Sequence, residues 1–440
     1  MGAGKLRLSQ CMIVKNEEKN IERALSWGKE LMWEQIVVDT GSTDRTVEIA
    51  ERMGAKIYHF TWIDDFAAAK NYAIQKASGN WIAFLDADEY MLPEDVQKLP
   101  RTIKKAGKLG LEILRTLWIQ VLDGDKLDMA AMQYRIFKNS PSVRYIKPIH
   151  EQLAYNGAAI DRHVLDATDL SIYHTGYMSD VSVQKCVRNI RILLKELEAK
   201  PEDPDLMGYL GDAYKGLKTD EGYEDGLSWY RKALPHIFRL GHRDERDHYT
   251  VGQLMAMLYK KGLTDPEAER EMMEIYRQAE QHFTGFYDLE YIVGRFYAQK
   301  EDYKKGEYYL ERAVSMLEQY GTKVFNTLMT SDLQETWRAL ALCYYYNNKM
   351  DKCVNCCVGL LKVDKTHVGT LEILLRCFKH EDPEAVLGFL GKLYNLNDLS
   401  DRILLLRGIV RAKPDGRGVL GVLRQYCTEE ELAVLKPGDV

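Results

Sequence analysis

A short apolar run, Trp81-Ile82-Ala83-Phe84-Leu85, ends in the acidic stretch Asp86-Ala87-Asp88-Glu89. Five apolar residues are too few for a free-standing helix and suit a buried strand. On an extended chain residues two apart project to the same side. The spacing therefore predicts that Asp86 and Asp88 lie together where a strand of an α/β sheet opens onto its ligand crevice. Unpaired carboxylates this close repel each other, and a divalent cation relieves that cost. An isolated Asp-x-Asp is equally an acidic turn after a strand, but two further polar clusters follow apolar runs: Lys15-Asn16-Glu17 and Asp39-Thr40-Gly41-Ser42-Thr43-Asp44. An α/β sheet binds its ligand at this edge, so the three clusters are expected to converge on one crevice. Gly41, with a helix N-terminus behind it, suits an anion, although the segment is no Walker loop.

The elements that must position these groups are legible in residues 8–90. Cys11-Met12-Ile13-Val14 predicts a first strand, and Ile21, Ala24, Leu25, Gly28, Leu31 and Met32 then recur at helical spacing. Ile36-Val37-Val38-Asp39 predicts a second strand. It leads into a helix carrying Val47, Ile49, Ala50 and Met53, stopped by Gly54. Ile57-Tyr58 predicts a third strand, residues 66–78 a third helix ending at Gly79, and the run from Trp81 a fourth strand. Alternation of this kind predicts a mostly parallel, doubly wound sheet.

From about residue 183 the strand signals fade and helices take over. Val293-Gly294-x-x-Tyr297, followed by Gly306, Leu310 and Ala313, has the tetratricopeptide offsets, in which small residues let paired helices approach closely. Leu340-Ala341-x-x-Tyr344 with Cys353, Cys357 and Leu360 repeats them. Ala256, Tyr259, Ala268, Met272 and Ile275 fit more loosely, as do Leu210-Gly211-x-x-Tyr214 with Gly226, Tyr230 and Ala233 once three residues are inserted. The segments Thr370–Lys379, Ala385–Tyr394 and Arg402–Arg411 are expected to continue or cap a solenoid of helix pairs. The expected division is an α/β domain over residues 1–182 and an all-α repeat domain over 183–440.

A chain of 440 residues with 46% hydrophobic content can build two or three cored domains. The net charge of −6 gives no basic footprint for nucleic acid and no pull toward anionic membranes. No apolar run approaches a membrane span, the first residues lack a signal-peptide core, and Leu6 sits where a myristoylation motif wants Ser or Thr. Eight scattered cysteines favour reduced thiols and a cytoplasmic protein. Cys353, Cys356 and Cys357 cluster, but no second Cys or His pair stands at zinc spacing, which favours packing on a helix.

Four ordered motifs resemble the family 2 glycosyltransferases of GT-A (Rossmann-like, nucleotide-diphospho-sugar transferase) fold. They are Val14-Lys15-Asn16-Glu17-Glu18, Val38-Asp39-Thr40-Gly41-Ser42-Thr43-Asp44, Ala69-Lys70-Asn71-Tyr72-Ala73 and Phe84-Leu85-Asp86-Ala87-Asp88-Glu89. The likeness continues in Tyr134-Arg135-Ile136-Phe137, Ile149-His150-Glu151 and Tyr173-His174-Thr175-Gly176-Tyr177, and covers roughly residues 8–180. With its helical-repeat half the chain looks similar to the branch that includes S-glycosyltransferases of bacteriocin peptides. The resemblance implies that Asp39 contacts the nucleotide base, with Val14, Asn16, Glu17 and Ser42 lining its pocket. Lys70 and Asn71 would sit near the base or phosphates, and Asp86 and Ala87 on the ribose side. Asp88 would hold Mg²⁺ or Mn²⁺ on the diphosphate, with His174 a further metal or diphosphate ligand and Arg135 pairing with phosphate. An inverting transfer needs a general base opposite the leaving group, and Glu151, then His150, are the candidates. A thiol acceptor would need less help. Hydrogen-bonded core histidines are the plain alternative for His150 and His174.

The resemblance thus implies transfer of a hexose from a nucleotide-diphosphate donor such as UDP-hexose to a peptide or protein side chain, Cys or Ser/Thr. The repeats would present the acceptor or bury a homodimer interface. A lipopolysaccharide or glycan acceptor is an alternative, as is a non-catalytic repeat scaffold with a degenerate sugar-nucleotide domain. A haloacid-dehalogenase-type phosphatase wants Thr or Val where Tyr90 stands. A glycoside hydrolase needs carboxylates on opposite faces, about 5–10 Å apart.

Overall fold

The structure, a computed structural model, describes residues 5–122, 126–160, 162–175, 183–241, 245–321, 328–413 and 415–432. Gly176 and Tyr177 of the last motif lie outside the described residues. The chain divides into two compact units, Met1–Gly226 and Leu227–Val440.

The first unit opens with β1 (Leu8–Val14), α1 (Ile21–Ser26), β2 (Met32–Asp39), α2 (Thr46–Arg52), β3 (Lys56–His59), α3 (Phe66–Lys76) and β4 (Trp81–Phe84). It continues with β5 (Glu89–Tyr90), α4 (Pro93–Lys108), β6 (Ile113–Leu122), β7 (Lys126–Lys138), β8 (Val143–Ile146), β9 (Gln152–Tyr155) and β10 (Val164–His174). Helices α5 (Val183–Ala199), α6 (Pro204–Lys215) and the start of α7 (Asp220–Leu240) complete it. Helical character therefore begins at residue 183, whereas the compact units divide later, within α7.

Eight strands form one sheet in the order β3-β2-β1-β4-β7-β6-β10-β5, and β8-β9 form a separate hairpin. The four strands nearest the N-terminus pair in parallel, as expected. Beyond them β7 runs antiparallel to β4 and β6, and β5 antiparallel to β10, so the sheet as a whole is mixed. The parallel strands are covered on both faces, which explains their unbroken apolar runs. Ile36, Val38, Ile82 and Phe84 pack with Ala67, Ala73 and Ile74 of α3. Val37 and Met12 pack with α1 and α2, and Trp81, Ala83 and Leu85 with Leu99 and Ile103 of α4. A Cβ on Gly79 would stand 2.5 Å from the Arg7 carbonyl oxygen, so α3 can hand over to β4 here only through glycine.

The first helix is shorter than its apolar spacing predicts. It ends at Ser26, Gly28 takes a left-handed φ of 59°, and Met32 opens β2. Gly28 breaks the period, and Leu31 and Met32 serve the core from outside the helix.

The second unit continues α7 with α8 (Glu245–Gly262), α9 (Pro266–His282), α10 (Tyr287–Gln299), α11 (Tyr303–Tyr320), α12 (Leu328–Ser331), α13 (Leu333–Tyr346) and α14 (Met350–Val363). Then come α15 (Val368–Cys377), α16 (Pro383–Leu390), α17 (Leu399–Arg411), α18 (Arg417–Leu423) and α19 (Glu429–Leu432). The tetratricopeptide offsets fall on the pairs α8/α9, α10/α11 and α13/α14, and their members Met272, Leu310, Ala313, Leu340 and Cys357 are buried. Cys353 and Cys357 are core residues of α14, with Cys377 Sγ of α15 3.3 Å from Cys353 Sγ. No helix of the described residues is long and apolar enough to cross a membrane.

Gly294 sets the approach of α10 to α11, because a Cβ there would stand 2.7 Å from Leu310 Cγ and 2.9 Å from its backbone nitrogen. Backbone cannot retreat without moving the helix. Gly294→Ala is expected to destabilise the helical unit by about 1–2 kcal/mol, overpacking outweighing the gain in helix propensity. Urea unfolding followed by far-UV circular dichroism measures this, and an unchanged or higher midpoint would refute the close approach.

Candidate active site

Because β1, β2 and β4 are parallel and in register, Val14 beside Asp39 and Cys11 beside Phe84, their C-terminal ends share one edge. The loops there are stitched together by their own polar groups. Asn16, at a left-handed φ of 59°, accepts from Thr43 N at 2.8 Å and donates its backbone N–H to Ser42 Oγ at 3.0 Å. Glu17 N donates to Thr46 Oγ1 at 2.7 Å. The Asp39 carboxylate accepts from Gly41 N at 3.2 Å and Ser42 N at 2.9 Å. Burial alone would raise its pKa, but these hydrogen bonds outweigh burial and hold it below the usual carboxylate value.

Past β4 the chain does not stay extended. Glu89 N donates to Asp86 O at 3.0 Å, closing a turn, and the Glu89 side chain returns to accept from Asp86 N at 2.9 Å. The expectation of two unpaired carboxylates on an extended strand is thereby corrected, because each has its own partner. Asp86 lies 3.2 Å from Lys70 Nζ and accepts from Arg135 at 2.9 Å. Lys70 is 2% exposed, reaches Glu151 Oε1 at 2.7 Å, and faces the Phe84 and Tyr145 rings at 5.2 and 5.1 Å. Arg135 also binds Glu89 at 2.6 Å, and Trp118 Nε1 donates to the same carboxylate at 2.8 Å.

The directions of titration follow. Burial would raise the Asp86 pKa, but the Lys70 and Arg135 charges outweigh burial and hold it well below the usual range. Burial would lower the Lys70 pKa, and Asp86 with Glu151 reverse this and push it up. Burial raises the Glu89 pKa against the pull of Arg135. Glu17 is likewise raised, first by burial, with the Asp88 charge adding to it.

Asp88 takes the other side of the turn. Pairing of β5 with β10 sets His174 opposite Glu89 and brings His174 Nε2 to 3.3 Å from Asp88 Oδ2. The other ring nitrogen, Nδ1, lies 3.0 Å from Gln120 Oε1. His174 is therefore a buried, hydrogen-bonded histidine that also reaches the cleft. A metal-ligating histidine is oriented by a hydrogen bond at one ring nitrogen, the role Gln120 would play here, and its other nitrogen faces the ion, where Nε2 would stand beside Asp88. Among the described residues no group of three His, Cys, Asp or Glu side chains converges to hold an ion. A pair of protein donors suits Mg²⁺ or Mn²⁺, which complete their shells with phosphate oxygens and water.

These groups line a cleft of ≈ 810 Å³. Val14, Asn16, Glu17, Lys70, Asp86, Ala87, Asp88, His150, Glu151 and His174 all border it. His150 is exposed, has a left-handed φ of 50°, and stacks on Tyr209 of α6 with ring centroids 3.7 Å apart. It is no core histidine. Asp39, Ser42, Asn71 and Arg135 do not border the cleft. Asn71 instead grips the β8 backbone, donating to Tyr145 O at 2.8 Å and accepting from Tyr145 N at 3.0 Å. Arg135 spends its guanidinium on Asp86 and Glu89, not on an open phosphate position.

Sequence reasoning missed three contributors. Glu89 ties the acidic turn to Arg135, Tyr145 walls Lys70, and α5 lends Gln184, Lys185, Arg188 and Arg191 to the cleft. The first stands beside the acidic pair and could have been suspected. A helix beginning at residue 183 carries no signal that it returns to the strand ends.

Residues 9–146 match the model of glycosyl transferase family 2, so the α/β unit carries a domain of that family. The chain is 34% identical over 242 residues to a TPR repeat-containing protein of Synechococcus elongatus, covering 53% of this chain and 58% of that one. It is 27% identical over 228 residues to the SPbeta prophage-derived glycosyltransferase SunS of Bacillus subtilis, covering 51% and 52%. The chain thus spans about half the length of these curated relatives. The crystal structure of S. aureus TarS 1–349 in complex with UDP-GlcNAc is 16% identical, covers 62% of this chain and 92% of that one, and has a TM-score of 0.34.

Removing Lys70 leaves Asp86 and Glu151 without their buried cation. Lys70→Met is expected to destabilise the α/β unit by roughly 3–5 kcal/mol, measured by chemical denaturation. Because the Asp86 pKa is held below its unfolded value, its contribution is complete above about pH 4 and is lost as pH falls from there. Asp86→Asn should flatten that acid-side slope, and an unchanged slope would show that the Asp86 pairing contributes nothing.

Proposed function

We propose that this protein is a metal-dependent inverting glycosyltransferase that moves a hexose from a nucleotide-diphosphate donor, UDP-hexose in the first instance, to a Cys or Ser/Thr side chain of a peptide or protein. The observation that carries this reading is the cleft at the shared strand edge. There Asp88 faces His174 at 3.3 Å beside the Lys70–Asp86–Glu151 network, in a domain matched by the glycosyl transferase family 2 model. Intact acidic groups favour an enzyme over a degenerate scaffold.

In this reading Asp88 and His174 hold Mg²⁺ or Mn²⁺, which when bound neutralises the charge gathering on the departing nucleoside diphosphate. Val14, Asn16 and Glu17 form the base side, braced from outside the cleft lining by Ser42 and Asp39, and Asp86 with Ala87 the ribose side. Asp86 is kept ionised by Lys70 and Arg135, so it stays a hydrogen-bond acceptor at any working pH. Glu151 borders the cleft with one oxygen on Lys70 and accepts the acceptor's proton through the other. His150, stacked on Tyr209 at the rim, orients the acceptor. The helical repeats offer surfaces of the kind that hold extended segments or a second copy of the chain. The eight free thiols suit a reducing, cytoplasmic setting.

Ligands that bind the folded state raise its apparent stability by mass action. One donor among UDP-, GDP- and dTDP-sugars is expected to raise the thermal midpoint by a few degrees with Mn²⁺ and much less with EDTA. Asp88→Ala should stay folded and lose transfer by about a hundredfold or more. Near-normal turnover by folded Asp88→Ala would sink the metal-dependent mechanism. Failure of every donor to bind would sink the transferase itself.

A further inference from the structure

The cations around the cleft are not equivalent. Of those that border it, Lys70 is committed to Asp86 and Glu151 and Arg191 of α5 to Asp64, while Lys15 and Lys185 are point charges without a guanidinium fork; Arg135, outside the lining, is committed to Asp86 and Glu89. Arg188, one turn before Arg191 on the same helix, also borders the cleft but has no carboxylate within ion-pair distance among the described residues. Its Nε and one terminal nitrogen donate to the neighbouring Asn189 Oδ1 at 3.2 and 3.0 Å, and its guanidinium carbon lies 4.9 Å from the Phe66 ring centroid. Burial pushes its pKa down, outweighing the opposing charges of Glu151 and Asp64 nearby.

The surroundings hold Arg188 in place. Asp64 binds Arg191 and accepts from Trp62 Nε1 at 2.8 Å, which fastens α5 to the loop before α3. Trp62 meets Phe66 edge to face at 4.7 Å, so the ring beneath Arg188 is itself fixed. A planar guanidinium with one side tethered and its face on an aromatic ring is pre-organised to bind an anion through its remaining N–H groups. Phosphate oxygens match that fork, whereas a neutral sugar or base leaves its charge uncompensated.

We propose that Arg188 binds the diphosphate of the nucleotide-sugar donor and supplies positive charge from α5 to the leaving group. This rests on the glycosyltransferase reading above. It makes Arg188 a second source of charge compensation beside the Asp88–His174 position, and it makes α5 part of the donor site.

The test compares UDP, GDP and dTDP with uridine, guanosine and thymidine by isothermal titration on the full chain, in Mn²⁺ and in EDTA. Arg188→Gln is expected to weaken the preferred nucleoside diphosphate roughly 10- to 100-fold, with nucleoside affinity changed less than about twofold. Arg188→Lys, which keeps the charge but not the fork, should recover part of the loss. Equal diphosphate affinity in Arg188→Gln and wild type would overturn the proposal, and so would a loss confined to a phosphorylated acceptor. An equal fall for nucleoside and diphosphate would assign Arg188 to structure instead, and Arg188→Lys guards against misreading a folding defect. A wild-type protein that binds no nucleoside diphosphate would overturn the underlying reading as well, a result separable from the other three.

Discussion

Everything at the strand edge depends on the burial of Lys70. An ammonium 2% exposed is costly to remove from water, and its cost is offset only if carboxylates meet it in good geometry. Asp86 and Glu151 do so, and Arg135 with Glu89 extends the pairing on the far side of Asp86. The five groups come from α3, the turn after β4, β5, β7 and the segment before β9. Their mutual neutralisation therefore fixes how those segments meet. Such a network adds little net stability over an apolar core, yet removing one member leaves its partner buried and uncompensated.

Internal neutralisation also determines what the cleft can offer a ligand. Asp86 and Arg135, which read from sequence as groups for a donor, are engaged within the network, Asp86 by Lys70 and Arg135, and Arg135 by Asp86 and Glu89. Groups that border the cleft without belonging to that network include Asp88 with His174 and the Arg188 fork. These combine a cation-binding pair with an anion-binding group, the combination a metal–diphosphate ligand requires. The loops after β1 and β2 are similarly self-satisfied. Asn16 with Ser42 and Thr43 holds the two loops to each other, Asp39 closes its own loop, and loops so held present backbone and side chains at defined positions.

The helical unit is built on a different constraint. Its pairs approach closely where glycine removes a side chain, as Gly294 does against Leu310 and Gly306 against Ala298. Large residues on the opposing faces then fill the space between pairs. Several charges pair between helices, with Arg295 on Asp332, Lys300 on Glu269 and Arg312 on Glu280. Such surface pairs contribute little stability each but keep a long helical face soluble.

By itself the sequence determined the parallel strands, the helices between them, and the edge on which the polar clusters meet. Burial on both faces demands unbroken apolar runs, and parallel order brings every strand's C-terminal end to one side. It determined the helix pairs too, since close packing requires small residues at fixed offsets. Tertiary structure decided the rest. Whether Asp86 and Asp88 face one ion or separate partners depended on Glu89 closing the turn and on Arg135 arriving from β7. The mixed part of the sheet depended on strands whose partners lie far away in the chain. That Arg188 belongs to the cleft depended on α5 returning to the strand ends. Ion pairs across such separations leave no period in a sequence, because their energy comes from desolvation and geometry that exist only once the chain has folded.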